Sequence, residues 1–150
     1  MKKTITVLAA LAVCATAATA QDLPQPVKAR QGQFNILALN LGVLGGMAKG
    51  AVEYDAEAAQ AAADNIAAVA SLHQAAMWAE GTDNMSIDGT RAQPVIWEQM
   101  DDFNSKWEDL GTAATEMASA AGTGQEALGP MLGKVGGACK ACHDTYRAPE

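Results

Sequence analysis

The sequence predicts an all-α protein, an antiparallel up-and-down four-helix bundle. Beyond residue 20 it holds 26 alanines against 10 valines and isoleucines together, and alanine is the best helix former whereas β-branched residues favour strands. Four stretches of helical periodicity follow one another, bounded by proline, glycine or a capping aspartate. Two of the three connections between them are short, and short connections make antiparallel neighbours. With 150 residues, 49% of them apolar, the chain has core enough for one domain and not for two.

The first 20 residues read as a cleaved secretory leader rather than part of that domain. Lys2 and Lys3 form a positive start, 5–18 is apolar, and Ala18-Thr19-Ala20 is a small-x-small cleavage site before Gln21. The apolar run is shorter than the roughly 18 residues a membrane span needs, so membrane insertion is not expected. Cys14 leaves with the leader, since Val13 stands where lipid-attachment signals carry a small residue. The domain is expected over 21–150, exported to the periplasm.

The first helix is expected over 27–50, after Pro24 and Pro26. Val27, Arg30, Phe34, Leu37, Leu41 and Leu44 form a seam along it, three and four residues apart. Arg30 interrupts that seam with a guanidinium, which is costly to bury unless something anionic meets it. No acid lies near it on the same helix; either its stem carries the charge out at the bundle end or an anion from elsewhere meets it. Ile36, Leu39, Val43 and Met47 form a second apolar stripe, which fits a helix from another subunit or a wider single core face.

The second helix is expected over 55–79, with Asp55 as N-cap, and a loop over 80–93 follows. The third helix runs over 94–121, with Ile96, Met100, Phe103, Trp107, Leu110, Ala114 and Met117 on its inner stripe; the fourth runs over 125–146, with Leu128, Leu132, Val135, Cys139 and Cys142 on its own. Met47, Met77, Met100, Met117 and Met131 read as core filling, Trp97 and Trp107 as packing, and His73 as a helix-surface residue.

Removing Lys2 and Lys3 leaves 8 basic against 17 acidic residues, a formal charge of −9. That excludes nucleic acid and anionic membrane surfaces as partners, because both reward the opposite sign. The acidity either keeps an exported protein in solution or favours a basic partner.

Function turns on Cys139-Lys140-Ala141-Cys142-His143, the spacing of c-type haem attachment. Positions three apart share a helix face, so two sulfurs can each form a thioether to a porphyrin vinyl group while the adjacent His143 is held under the iron as axial ligand. Export, helical context and position near the end of the last helix agree with this reading. A structural zinc site needs about four ligands, and beyond carboxylates the chain offers only these three and the distant His73. A thioredoxin-like pair belongs after a strand, and none is expected. A plain disulfide is chemically possible but leaves His143 without a role.

The chain resembles the class II c-type cytochromes, and within them the cytochrome c′ family. The likeness lies in the haem motif with Asp144-Thr145-Tyr146-Arg147 after it, in Ala29-Arg30-Gln31 with Phe34, in Pro94-Val95-Ile96-Trp97 with Asp102-Phe103, and in Trp78-Ala79-Glu80-Gly81-Thr82, although the family more often has Phe-Pro where Trp78 and Ala79 stand. The resemblance implies one covalent haem c per chain, His143 as proximal and sole protein ligand, and Phe34 filling the distal side. It implies Arg30 and Gln31 near the haem propionates, Arg91 near the same edge and Arg147 beside the proximal face. It further implies a homodimer through the first two helices.

Two functions follow from two coordination states. Iron with one strong protein ligand and an open position binds small neutral gases, for which the resemblance implies nitric oxide and carbon monoxide; iron with two strong ligands shuttles electrons. A six-coordinate relative carries a methionine on the first helix where this chain has Phe34, and Met47 lies roughly 20 Å farther along at about 1.5 Å per residue, so the first reading is preferred and the low-spin electron carrier is the alternative. Electron transfer with a redox partner protein stands beside gas binding, and no acid–base pair or nucleophile marks an enzyme.

Mass spectrometry of the exported protein should show a chain that starts at Gln21 and carries one haem that acid–acetone does not extract. Free haem in the extract, or a chain without added mass, refutes the attachment.

Overall fold

The computed structural model describes residues 22–149; the leader expected over 1–20, Cys14 included, lies outside the described residues. Five helices, α1 (Gln25–Ala48), α2 (Ala56–Ala70), α3 (Val95–Glu98), α4 (Met100–Ala120) and α5 (Gln125–Tyr146), follow one another with a 3-10 turn at Ala75–Met77. α1 packs on α2, α2 on α4, α4 on α5 and α5 back on α1, the cyclic order of an up-and-down bundle, while α3 is a single turn leading into α4. Among the described residues there is no strand, only an isolated antiparallel bridge between Ala92 and Arg147, and no helix is long and apolar enough to cross a membrane.

The main core is built where the stripes meet. Leu37 and Leu44 of α1, Ile66 of α2, Leu110 and Met117 of α4, and Leu128 and Val135 of α5 are buried together, with Ala59, Ala62, Ala63 and Ala114 allowing close helix approach. A second, aromatic cluster of Trp78, Ile96, Phe103 and Tyr146 lies beside it. Its rings meet edge to face, with centroids 4.5 Å apart for Trp78 and Phe103 and 5.4 Å for Phe103 and Tyr146.

Asp55 caps α2 as expected, its carboxylate accepting from the Ala58 N–H at 2.8 Å. The helix expected over 55–79, however, stops at Ala70. The residues that follow serve other contacts: Gln74 is buried and its amide pairs with that of Gln33 on α1 (2.8 and 3.3 Å), while its Oε1 also accepts from the Trp78 indole N–H at 3.1 Å. Tertiary hydrogen bonds override the helix propensity of the alanine-rich stretch. The helix expected over 94–121 is likewise broken at Gln99, at φ −128° and ψ 43°.

Two readings left open for α1 are decided. Met47 is core, in line with its reading as core filling, and separates from Ile36, Leu39 and Val43 of the same stripe, which are 46%, 69% and 37% exposed. Arg30 does not carry its charge out to solvent; it is 2% exposed. His73 is exposed as expected, just beyond the end of α2 rather than within a helix.

Gln74→Ala should leave the Gln33 amide and the Trp78 indole unpaired in the interior and cost about 1–3 kcal/mol, read as a lower urea midpoint at unchanged slope.

Candidate haem site

A cavity of about 500 Å³ opens between α1, α4, α5 and the loop over 78–92. Its walls are mostly carbon, from Leu37, Leu41, Ile96, Phe103, Leu110 and Ala138. All eight residues singled out in the sequence line it: Arg30, Gln31 and Phe34 from α1, Arg91 from the loop, Cys139, Cys142 and His143 from α5, and Arg147 just past its end. A single helix brings the last group together because three residues are nearly one turn.

Cys139 and Cys142 are half-buried and free, so no disulfide joins them. Burial pushes both thiols up, Cys142 to about 11, with Cys139 adding to the rise and Lys106 opposing it. His143 is held below the usual histidine range, first by burial and then by the positive charges of Arg147 and Arg91. Its imidazole is therefore neutral at neutral pH and keeps a nitrogen lone pair, the form in which histidine binds metal.

Across the cavity α1 contributes Phe34, 37% exposed, with its ring edge-on to Trp107 at 6.1 Å between centroids. One turn earlier, the Arg30 guanidinium stacks over the Trp78 ring at 4.7 Å. Its Nη1 donates to the Met77 carbonyl at 3.2 Å and to Thr82 Oγ1 at 2.7 Å, and its Nη2 to the Thr82 carbonyl and to Thr90 Oγ1 at 2.9 Å. Desolvation lowers its pKa and the charge of Asp83 opposes that shift. Asp83 is buried in the loop, where the Met85 and Ser86 amides and the Ser86 hydroxyl donate to its carboxylate and depress its own pKa. So the acid absent from α1 comes from the loop. Gln31 Nε2 donates to the Gly89 carbonyl at 2.7 Å. Gly89 has φ +81°, a conformation that strains any residue with a Cβ, and a Cβ there would also crowd a Leu23 methyl at 3.0 Å, so glycine is favoured.

Arg91 and Arg147 lie on neighbouring backbones, joined by the bridge at Ala92. The Ala148 N–H donates to the Arg91 carbonyl at 2.8 Å and Arg91 Nε to the Ala148 carbonyl at 2.8 Å. Sequence reasoning missed four residues of the wall and its support. Thr90 gives no sequence signal at all, and Thr82 entered only as the last residue of a segment that carries the resemblance. Lys106, paired with Asp102 at 3.4 Å, was legible only as its i+4 neighbour, and Tyr146, whose hydroxyl donates to Asp102 at 2.6 Å, only as part of the segment after the haem motif.

In an acidic chain this cavity has four basic residues on its wall, Arg30, Arg91, Lys106 and Arg147, and no Asp or Glu. An apolar chamber with two free thiols one turn apart, a neutral imidazole beside them and cations at its edge matches a porphyrin with two vinyl groups, a central iron and two carboxylates. The residues present fit haem c.

A family model for cytochrome c′ matches residues 25–147. The chain is 40% identical over 142 residues to cytochrome c′ of Cereibacter sphaeroides, which covers 95% of this chain and 93% of the relative. Among solved structures, it is similar to a cytochrome c′ described by an unusual ligand-controlled dimer dissociation, at 32% identity and a TM-score of 0.75 over 83% of this chain and 95% of that one. It is also similar to the nitric oxide complex of a mutant of cytochrome c prime from Alcaligenes xylosoxidans, at 30% identity and a TM-score of 0.71 over 83% and 94%.

Burial, and the hydrogen bond to Asp102, push the Tyr146 hydroxyl up to about 12 from an ordinary value of 10.0. Between these values the unfolded chain has lost the phenolic proton that the folded protein keeps, so stability falls as pH rises from 10 toward 12. Thermal unfolding at pH 9 and pH 11 should show a smaller alkaline loss in Tyr146→Phe than in the wild type.

Proposed function

Since this chain belongs to the cytochrome c′ family, whose members carry covalent haem c, we propose that it is an exported haem protein that binds small neutral gases at an open iron position. When bound, the haem supplies an iron that takes up a diatomic gas or a single electron. The observation that carries this reading is the contrast between the two sides of the cavity. α5 contributes His143, whereas α1 contributes Phe34, Leu37, Ala38 and Leu41, and neither a methionine nor a second histidine lines the cavity. One protein ligand leaves a position for exchange, and a carbon wall favours neutral ligands over anions.

The other residues take roles that follow from their places. Cys139 and Cys142 would hold haem c covalently through their sulfurs, and His143 would bind its iron. Phe34 fills the space opposite His143 and slows entry by sterics. Gln31, Arg91, Arg147 and the free Nε–H of Arg30 receive the propionates. The protein binds and carries rather than turning a substrate over, and electron transfer to a partner protein is its second activity. Nitric oxide is the gas in the solved complex of the Alcaligenes relative, and carbon monoxide shares its size and neutrality. The leader over 1–20 directs the chain to the periplasm.

Two copies associate through α1 and α2. Ile36, Leu39 and Val43 share one exposed face of α1, Leu72 just past α2 is exposed as well, and dimer dissociation is the described feature of one solved relative.

Ferric protein at neutral pH should show high-spin bands, and ferrous protein should bind carbon monoxide. Phe34→Ala should speed that binding about tenfold, a barrier change of about 1.4 kcal/mol, while Phe34→Met should give a low-spin species. A low-spin wild type with a methionine-to-iron charge-transfer band would establish the electron carrier instead. Separately, Leu39→Glu with Val43→Glu should convert the sedimenting species to a monomer that keeps its haem; a wild type already monomeric at high concentration refutes the dimer.

A further inference from the structure

A guanidinium has five N–H donors, and Arg30 spends four of them on the loop, on the Met77 carbonyl, both oxygens of Thr82 and the Thr90 hydroxyl. Only Nε–H remains, so the fork by which arginine grips a carboxylate is already engaged. Thr82 and Thr90 lie near the two ends of the loop, and the Asn84 N–H donates to the Ala92 carbonyl at 2.8 Å, closing the segment on itself. Gln31, one residue on, holds the tip through Gly89.

The other edge of the same loop grips the end of α5. The Gln93 N–H donates to the Tyr146 carbonyl at 3.0 Å and the Ala148 N–H to the Arg91 carbonyl at 2.8 Å. Gln93 Nε2 donates to the Thr145 carbonyl at 3.2 Å and Arg91 Nε to the Ala148 carbonyl at 2.8 Å. These bonds fall two to five residues after His143, and the Arg147 N–H itself donates to the His143 carbonyl at 3.2 Å.

We propose that Arg30 is a positioning residue for His143: it fastens the loop over 78–93 to α1, and the loop fixes the backbone that follows the histidine. The inference rests on the reading of His143 as iron ligand and goes beyond it. It assigns the buried cation a mechanical role on the far side of the cavity from the side chain it serves, with arms that only a planar, multiply donating head supplies. Lysine brings the same charge to the site but three donors around one atom, which cannot span the two ends of the loop.

The test uses the full-length exported protein with its haem, as wild type, Arg30→Met, Arg30→Lys and the double variant Thr82→Val with Thr90→Val. Hydrogen exchange reads the amides of Asn84, Gln93 and Ala148, with Leu110 and Val135 in the main core as controls for folding. Resonance Raman of the ferrous protein reads the iron–histidine stretch. Both arginine variants should speed exchange at the three loop-linked amides by about tenfold or more, the double threonine variant should do so to a lesser degree, and the iron–histidine band should shift in all three. Unchanged exchange at Gln93 and Ala148 in Arg30→Met overturns the proposal. So does faster exchange with an unmoved band, or full rescue by lysine together with a silent threonine double variant, which would make Arg30 a charge and not a fastener. Should Arg30→Met fail to fold, the threonine double variant decides alone. A wild type without covalent haem refutes the iron-ligand reading itself and this proposal with it, whereas haem present with unmoved amides refutes only the proposal.

Discussion

A charged guanidinium taken out of water at the join between α1 and the loop is the constraint on which the cavity depends. Leaving such a group unpaired inside a protein costs several kcal/mol, so the chain around it is arranged to supply acceptors. Two threonines, a main-chain carbonyl from the 3-10 turn, the face of Trp78 and the nearby charge of Asp83 do so. None of these acceptors is on α1. Satisfying Arg30 therefore requires the loop to be where it is, and the loop is one wall of the chamber. The same need accounts for α2 ending early: the turn that follows it delivers Gln74 to Gln33 and Trp78 to its place beneath the arginine.

The opposite wall obeys a simpler rule. One helix turn sets Cys139 against Cys142, and the next residue is His143, so the reactive atoms come from a rigid element and not from a loop. Burial keeps the sulfurs protonated and the imidazole neutral. The surrounding arginines reinforce the second effect, since a positive charge disfavours protonation of a neighbouring base. The cations that would be costly around an empty apolar chamber suit one whose contents bring carboxylates at one edge. Charge segregation of this kind, basic inside the cavity and acidic over the rest of the chain, serves binding and solubility together.

The folding pattern shows where periodicity is a faithful guide and where it is not. Stripes made wholly of apolar residues, such as Phe103, Leu110 and Met117 on α4 or Leu128 and Val135 on α5, are buried as their spacing implies. On helix α1 the buried face also takes in polar residues: Gln33 and Asn40, with Met47, are buried along with Leu37 and Leu44. A hydrophobicity count cannot recover Gln33 or Asn40, because each is buried through a hydrogen-bonding partner on another segment, Gln74 for the first and Asn65 for the second. Met47 fitted both the second stripe and core filling, since spacing along one helix cannot say which of two apolar faces the next helix will cover.

By itself the sequence determined the helical class, the order of the four main helices with the ends of α1 and α5 to within a few residues, and the placing of Cys139, Cys142 and His143 close together on α5. All of these depend on spacings of three and four residues or on local caps, which are properties of a short stretch of chain. Tertiary structure alone decided the break at Gln99, the early end of α2, the closure of the loop on Arg30 and its stitching to residues 145–148. Each of those joins groups dozens of residues apart, from Arg30 to Thr82 and from Gln93 to Tyr146. A threonine hydroxyl or a backbone carbonyl carries no mark in the sequence of the distant donor it will meet, so such pairings become visible only when the bundle has brought them together.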